Sequence, residues 1–309
     1  MVTRAGVLWE ESIGWSDKKT KTAATLHTPY LLASLGKSMT ATALMRLVEQ
    51  QKIALDAPVS RYLGNAQLTV HEGTADAATV RRVLDMTAEL PHANLTFSSL
   101  AARRAYTTEA FVRNHAHVVF PPSEVFLYSN TDFGVIEQAI EHVSGIPYRA
   151  FMRKTLFAPL GMADTSIGPA AGLPTPASRY DDDGKLVPRG YPVPESSRAA
   201  YSSLDDLIRY ARLHLGLSKT TLLRPDSLEE IHTLRSTAPH ARFGLGIGVL
   251  DLGDRPWLLT DGRDQGAQSA LAMLPREQTA AICLINTTGG QADDVTFHLT
   301  DVLAPGFLD

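Results

Sequence analysis

The sequence predicts a two-lobed α/β protein. An antiparallel sheet flanked by helices is drawn from both ends of the chain, and an all-helical lobe is inserted between them. Three observations predict this: a strand-like run and a long helix open the chain, helical patterns fill its middle, and strand-like runs followed by a helix close it. On this reading residues 1–55 and 204–309 form the α/β lobe. Residues 56–203 form the helical lobe and end in a Pro-rich loop, 168–203. A cleft between two such lobes is the expected place for a ligand.

The elements follow in order. Residues 5–14, AGVLWEESIG, read as a strand, and WSDKKTKT as a polar turn. From Ser34 the pattern turns helical, with Ala41, Leu44, Met45 and Val48 on one stripe. A second clear helix runs from Asp132 to Ser144, with Phe133, Ile136, Ile140 and Val143 on one face and Gly145 placed to stop it. The segment 168–203 carries six prolines and the acidic turn Asp181-Asp182-Asp183-Gly184, and so reads as a long loop that covers a site. Helix returns at LDDLIRYARLHLG. The runs FGLGIGVLDL, RPWLLT, SALAMLP and AAICLIN then read as strands, and ADDVTFHLTDVL as the closing helix.

Composition excludes several functions. Hydrophobic residues at 44% and charged ones at 20% describe an ordinary globular protein with a large core. A net charge of −4 with scattered basic residues leaves no footprint for nucleic acid or an anionic membrane. The single cysteine, Cys283, cannot form an internal disulfide and reads as a small buried hydrophobe. With no apolar run suited to a signal peptide or a membrane span, a cytoplasmic location is expected. Trp9, Trp15 and Trp257 read as core or pocket wall. His115 and His117, two residues apart, do not share a helix face as a metal pair would.

The stretch LLASLGKSMT, residues 31–40, has two parsings. Gly36-Lys37-Ser38 resembles the end of a phosphate-binding loop, but that loop needs glycine where Leu31 stands, and alternating strands and helices afterward. Shifted by two residues, Ser34-Leu35-Gly36-Lys37 is S-x-x-K, a pattern that Ser16-Asp17-Lys18-Lys19 also matches in a polar turn. At Ser34 an apolar extended run precedes the pattern and a helix follows it. Side chains at i and i+3 share a helix face, roughly 5–6 Å apart at Cβ. Burial and the positive helix end both disfavour an ammonium there, so Lys37 could accept the Ser34 proton. The bland alternative is Ser34 as a helix cap and Lys37 as a solvated side chain. Tyr128-Ser129-Asn130 is the one Y-x-N among nine tyrosines, placed just before the second helix. Such a tyrosine can sit as phenolate or shuttle a proton, or can simply pack at a helix start capped by Asn130.

In these residues the chain resembles the serine β-lactamase-like hydrolases, the group of class C β-lactamases, DD-peptidases and family VIII carboxylesterases. The likeness extends through LLASLGKSMTATALMRLVEQQKIALDAPVSRYL, FPPSEVFLYSNTDFGVIEQAIEHVSGIPYRAFMRKTLFAPLGMADTS and RAAYSSLDDLIRYARL, in the family's order. The resemblance implies the β-lactamase/transpeptidase-like fold and acyl transfer through a serine ester, with no metal and no organic cofactor. It implies Ser34 as nucleophile, Lys37 as its base partner and Tyr128 as proton shuttle. Asn130 would orient Lys37 or hold a substrate carbonyl.

Two departures shape the expectation. The family's third motif, K-T-G or H-x-G, aligns with Thr260-Asp261-Gly262, where Thr260 brings neither cation nor imidazole. Arg263 is the neighbour able to supply charge from a shifted position, and its backbone N–H with that of Ser34 is the expected oxyanion hole. The change favours a carboxylesterase acting on uncharged small or medium acyl groups. An amidase, a β-lactamase, an acyltransferase and a non-catalytic binding homologue are the alternatives. The partner is then a small-molecule ester or amide. The second departure is that few residues precede GVLWEESIGWSD: either the sheet is a strand short, leaving an edge for another lobe or a second copy in a homodimer to cover, or the chain was cut. The loop around 89–107 and the Pro-rich segment are expected to line the pocket. Arg103 and Arg104 could meet an anion there, but read first as a solvated helix face.

Overall fold

The computed structural model describes residues 1–122, 126–238, 241–251 and 256–303. An eight-stranded, fully antiparallel sheet runs in the order Ser236–Ala238, Ala241–Phe243, Gly248–Asp251, Pro256–Asp264, Ala267–Leu274, Thr279–Ile285, Val2–Thr3, Gly6–Val7. The chain ends therefore meet, with Val2 opposite Ala280. This is the sheet drawn from both chain ends that the resemblance implies. Ala267–Leu274 is buried at every position because helices cover the sheet where that strand runs.

The closing helix, Ala292–Leu303, coincides with ADDVTFHLTDVL. The second clear helix is Asn130–Ser144, stopped by Gly145 in the left-handed conformation at φ 70°. The cap is not Asn130, however. Ser129 accepts from the N–H groups of Thr131 and Asp132, and so frees the Asn130 side chain.

The expected strand 5–14 shrinks to Gly6–Val7, and WSDKKTKT folds into a hairpin of Trp15–Asp17 on Thr22–Ala23. Among the described residues, Leu8, Trp9, Ile13 and Trp15 are left exposed, so Trp9 and Trp15 are not core. Trp257 is buried. FGLGIGVLDL divides into Ala241–Phe243 and Gly248–Asp251 around a turn at Gly246, and a further strand, Ser236–Ala238, precedes them. Leu252 and Arg255, at the ends of two expected strands, lie outside the described residues. The middle region also carries short strand pairs, Leu95–Phe97 with Tyr191–Val193 and Thr69–Val70 with His117–Val118.

The helix Gly36–Glu49 positions the site. Every residue from Gly36 to Met45 is buried, although Ser38, Thr40 and Thr42 lie among them. Each of those hydroxyls donates to a carbonyl three or four residues back, so a polar helix enters the core with its groups paired. Thr40 also meets Tyr148, and Thr42 meets Tyr210, tying the helix to elements on either side. At its start Gly36 packs so near Ala200 that an added Cβ would stand 3.1 Å from the Ala200 Cβ. Close packing at Gly36 and Gly246 fixes where Ser34 can lie, since a Cβ on Gly246 would meet Ala41 at 2.7 Å.

Candidate active site

Ser34 sits in a single 3₁₀ turn, Ala33–Leu35, at the mouth of the Gly36–Glu49 helix. The preceding Ala33 is held at φ +48°, a left-handed conformation that a residue with Cβ adopts only under constraint. The constraint is visible. Leu32 donates its N–H to the Ala200 carbonyl at 2.8 Å, and its own carbonyl accepts from the buried Ser269 hydroxyl at 2.7 Å. The strand Pro256–Asp264 closes over this corner at Gly262, where an added Cβ would stand 1.9 Å from the Leu32 oxygen and 2.8 Å from the Ser34 nitrogen. Only glycine lets the strand lie that close.

Lys37, one turn along the helix, is buried and directs its amine at three oxygens: Ser34 Oγ at 3.1 Å, Tyr128 OH at 2.6 Å and the Ser197 carbonyl at 3.2 Å. Tyr128 OH donates to Ser34 Oγ at 2.7 Å, closing a triangle of serine, lysine and tyrosine. The S-x-x-K at Ser34 is thus the buried copy, and neither the solvated-lysine nor the helix-cap alternative holds there. The Tyr128 ring is also 4.7 Å from the Lys37 nitrogen, and His92 stacks against it at 5.9 Å.

Electrostatics decide which member holds a lone pair. Burial drives the Lys37 pKa down to about 7, helped by the nearby Arg198 charge and opposed by Asp261 and Asp132. Tyr128 moves the other way: burial of its hydroxyl end raises its pKa, although the residue as a whole is 39% exposed. It is therefore a phenol at neutral pH, not the phenolate considered from sequence. A carbonyl only accepts, so one Lys37 N–H is committed to Ser197 and the lone pair of the neutral amine can face Ser34 Oγ.

A cavity of about 250 Å³ opens on this triangle and is also lined by Thr260, Asp261 and Arg263. Thr260 is buried on the strand, as its alignment with the third motif suggests. Arg263 reaches the same cavity but is ion-paired to Asp293, so its charge is already matched. Asn130 is buried, and its amide donates to Asn94 rather than to Lys37; its side-chain oxygen has no partner. Of the seven site residues read from sequence, six converge and Asn130 turns to a neighbouring loop.

Three participants carry no local signal in the sequence. The Ser197 carbonyl is a backbone group. Arg198 acts through charge, and Asp261 sits unremarked inside the aligned tripeptide. The short helix Glu195–Arg198 that supplies Ser197 is itself anchored: the Ser196 N–H meets Glu137 at 2.8 Å, and Glu195 accepts a bidentate pair from Arg149 at 2.6 and 2.8 Å.

The Beta-lactamase family model matches residues 1–304. The chain belongs to that family. Among curated proteins it is 26% identical over 167 residues to penicillin-binding protein 4* of Bacillus subtilis, covering 52% of this chain and 35% of that protein. It is 25% identical over 247 residues to esterase EstB of Burkholderia gladioli, covering 68% and 63% respectively. The chain thus spans about a third of the Bacillus relative's length. Among solved structures, the octameric penicillin-binding protein homologue from Pyrococcus abyssi superposes with a TM-score of 0.83 at 22% identity, covering 98% of this chain and 72% of that one. The Beta-lactamase family assignment agrees with the fold and with the segments quoted above. Among the described residues, no helix is long and apolar enough to cross a membrane.

Two predictions follow from this geometry. Gly262→Ala forces the strand or the Ala33–Ser34 corner to shift by more than an ångström. The rate of covalent labelling at Ser34 should then fall by about a hundredfold, as misplacements of that size do. Labelling at the wild-type rate would show that the close approach is not needed. The second concerns stability. Between pH 7 and 10.5 the unfolded chain holds a proton on Lys37 that the folded chain does not, so the Lys37 contribution rises with pH across that window. Below pH 7 the cost of a buried cation is fully present. Lys37→Met should therefore be more stable than wild type at pH 6 in urea unfolding, with the gain shrinking toward pH 10. A less stable variant at pH 6 would mean that the three hydrogen bonds outweigh desolvation.

Proposed function

We propose that the chain is a carboxylesterase working through an acyl ester on Ser34. The Ser34–Lys37–Tyr128 triangle, with a lysine amine poised near neutrality, carries this reading. Neutral Lys37 takes the Ser34 proton as Oγ attacks the ester carbonyl. The tetrahedral oxyanion is met by the backbone N–H groups of Ser34 and Arg263, together worth several kcal/mol of barrier. Support for the second donor is that Pro256–Asp264 pairs with Gly248–Asp251 only as far as Leu259, which leaves one edge of residues 260–264 without a strand partner. Tyr128 gives its proton to the departing alkoxide and recovers one from the Lys37 ammonium. Hydrolysis runs the same groups in reverse, with water in place of the alcohol.

Ester rather than β-lactam or peptide work is favoured by the strand side of the cavity. Thr260 is neutral, the Arg263 charge is held by Asp293, and Asp261 places a carboxylate where an anionic substrate group would otherwise sit. The name of esterase EstB accords with this reading.

Intact-protein mass spectrometry after fluorophosphonate treatment should show one adduct on wild type and none on Ser34→Ala. No adduct on folded wild type would sink the reading. With p-nitrophenyl butyrate, kcat/KM should rise with pH through about 7 as Lys37 loses its proton, and nitrocefin should turn over far more slowly.

We also propose that the chain self-associates through the sheet edge at Gly6–Val7. Support comes from the exposed Val7, Leu8, Trp9 and Ile13 beside an edge strand. Sedimentation velocity should give a dimer that Trp9→Glu converts to monomer; a wild-type monomer at micromolar concentration would refute it.

A further inference from the structure

A second cavity, of about 410 Å³, lies beside the first and shares none of its lining residues. The two are neighbours along the chain: Arg263 lines the first, while Asp264 and the following Gln265 line the second. They are also neighbours through the short helix Glu195–Arg198, whose Ser197 carbonyl contacts Lys37 and whose Arg198 lines the second cavity. Leu31, another lining residue, is three positions before Ser34, which bounds the Cα separation at about 11 Å.

The lining is strongly cationic in a chain whose net charge is −4. Arg104, Arg149, Arg179, Arg189 and Arg198 face two carboxylates, Glu195 and Asp264, and no lysine contributes. Glu195 is taken by Arg149 in bidentate fashion and by Arg103 at 3.2 Å, and Asp264 lies 3.6 Å from Arg198. Arg179 donates to the Gln265 and Pro188 carbonyls, which fix its direction without matching its charge. Among the described residues Arg104 and Arg189 make no ion pair. The charges of Arg179 and Arg189 both reach the buried Tyr201 on the cavity wall. Arg104 and Arg189 are solvent-exposed and Arg179 is half-buried, so three guanidinium groups with no carboxylate partner among the described residues line one open cavity, and the planar fork of arginine fits carboxylate and phosphate oxygens two at a time. Arg104 lines this wall while remaining exposed on its helix, and Arg103 is turned inward to Glu195.

We propose that this cavity receives an anionic group, a carboxylate or phosphate, carried at the far end of the acyl moiety that is attached to Ser34. The inference rests on the esterase reading and names its substrate class: esters of medium-length acyl chains that end in an anion. The neutrality expected from Thr260 then applies to the strand side of the first cavity alone.

The test compares p-nitrophenyl esters of equal chain length, the hexanoate and the monoadipate, on wild type and on Arg104→Glu/Arg189→Glu. Wild type should prefer the monoadipate in kcat/KM. The ratio of the two esters should fall by about tenfold or more in the double variant, the scale of losing charge-assisted hydrogen bonds. Free adipate should compete with the monoadipate. No wild-type preference, a ratio unmoved in the variant, or non-competitive action of adipate would each overturn the assignment. Failure of the esterase reading is separable. If neither ester turns over and Ser34 takes no adduct, calorimetry of adipate on Ser34→Ala decides. Binding that the double variant abolishes keeps the anion cavity, and no binding removes it.

Discussion

The site depends on stripping Lys37 of water. An ammonium at that depth loses its hydration shell, and three hydrogen-bond acceptors do not replace it, so the pKa descends to about 7. Everything around Lys37 serves either to keep water out or to keep the amine pointed. The helix that carries it is buried from Gly36 to Met45, and its own hydroxyls are satisfied against its own carbonyls. The short helix Glu195–Arg198 then brings one acceptor, Ser197, and one repelling charge, Arg198. Asp261 and Asp132 pull against Arg198, so the final pKa is a balance set by groups on separate elements.

The geometry of Ser34 has a different origin. Its turn is strained at Ala33, and nothing local relieves that strain. The sheet supplies the constraint: Ser269 on one strand grips the Leu32 carbonyl, and Gly262 on the next lies directly against it. Lysine is therefore tuned by the helical side of the molecule and serine is aimed by the sheet side. A rigid-body displacement of either would break the 3.1 Å contact between them.

Much of this was legible in the sequence, for identifiable reasons. S-x-x-K fixes its own i, i+3 geometry, and the helical stripe after it marks which copy is buried. Gly262 could be placed because the aligned third motif ends in glycine there, and the close backbone approach to Leu32 is the physical reason for it. The remainder is carried by tertiary contacts that leave no periodic trace. Whether Asn130 faces Lys37 or Asn94 depends on the loop around residues 92–94, and whether Ser129 or Asn130 caps the helix depends on a backbone angle. The N-terminal strand failed because AGVLWEESIG has the composition of a strand, but among the described residues Leu8, Trp9 and Ile13 are left uncovered. Alternation predicts a strand only where something covers its apolar face.

The two cavities divide charge between them. Around Ser34 the carboxylate of Asp261 lies among neutral groups and an arginine already engaged by Asp293. Beside it, arginines outnumber carboxylates and stand on segments far apart in sequence, from Arg104 to Arg198, with no run of like charge along the chain. No reading of linear charge could assemble them. Such a division orients a substrate without touching its reacting bond. On the proposed reading, a group repelled at one end and attracted at the other would meet Ser34 in a single direction, its orientation fixed before the lysine takes its proton. Arg198 belongs to both spaces. It lines the cationic cavity, where Asp264 pairs it, and it depresses the Lys37 pKa, so one arginine couples the two spaces.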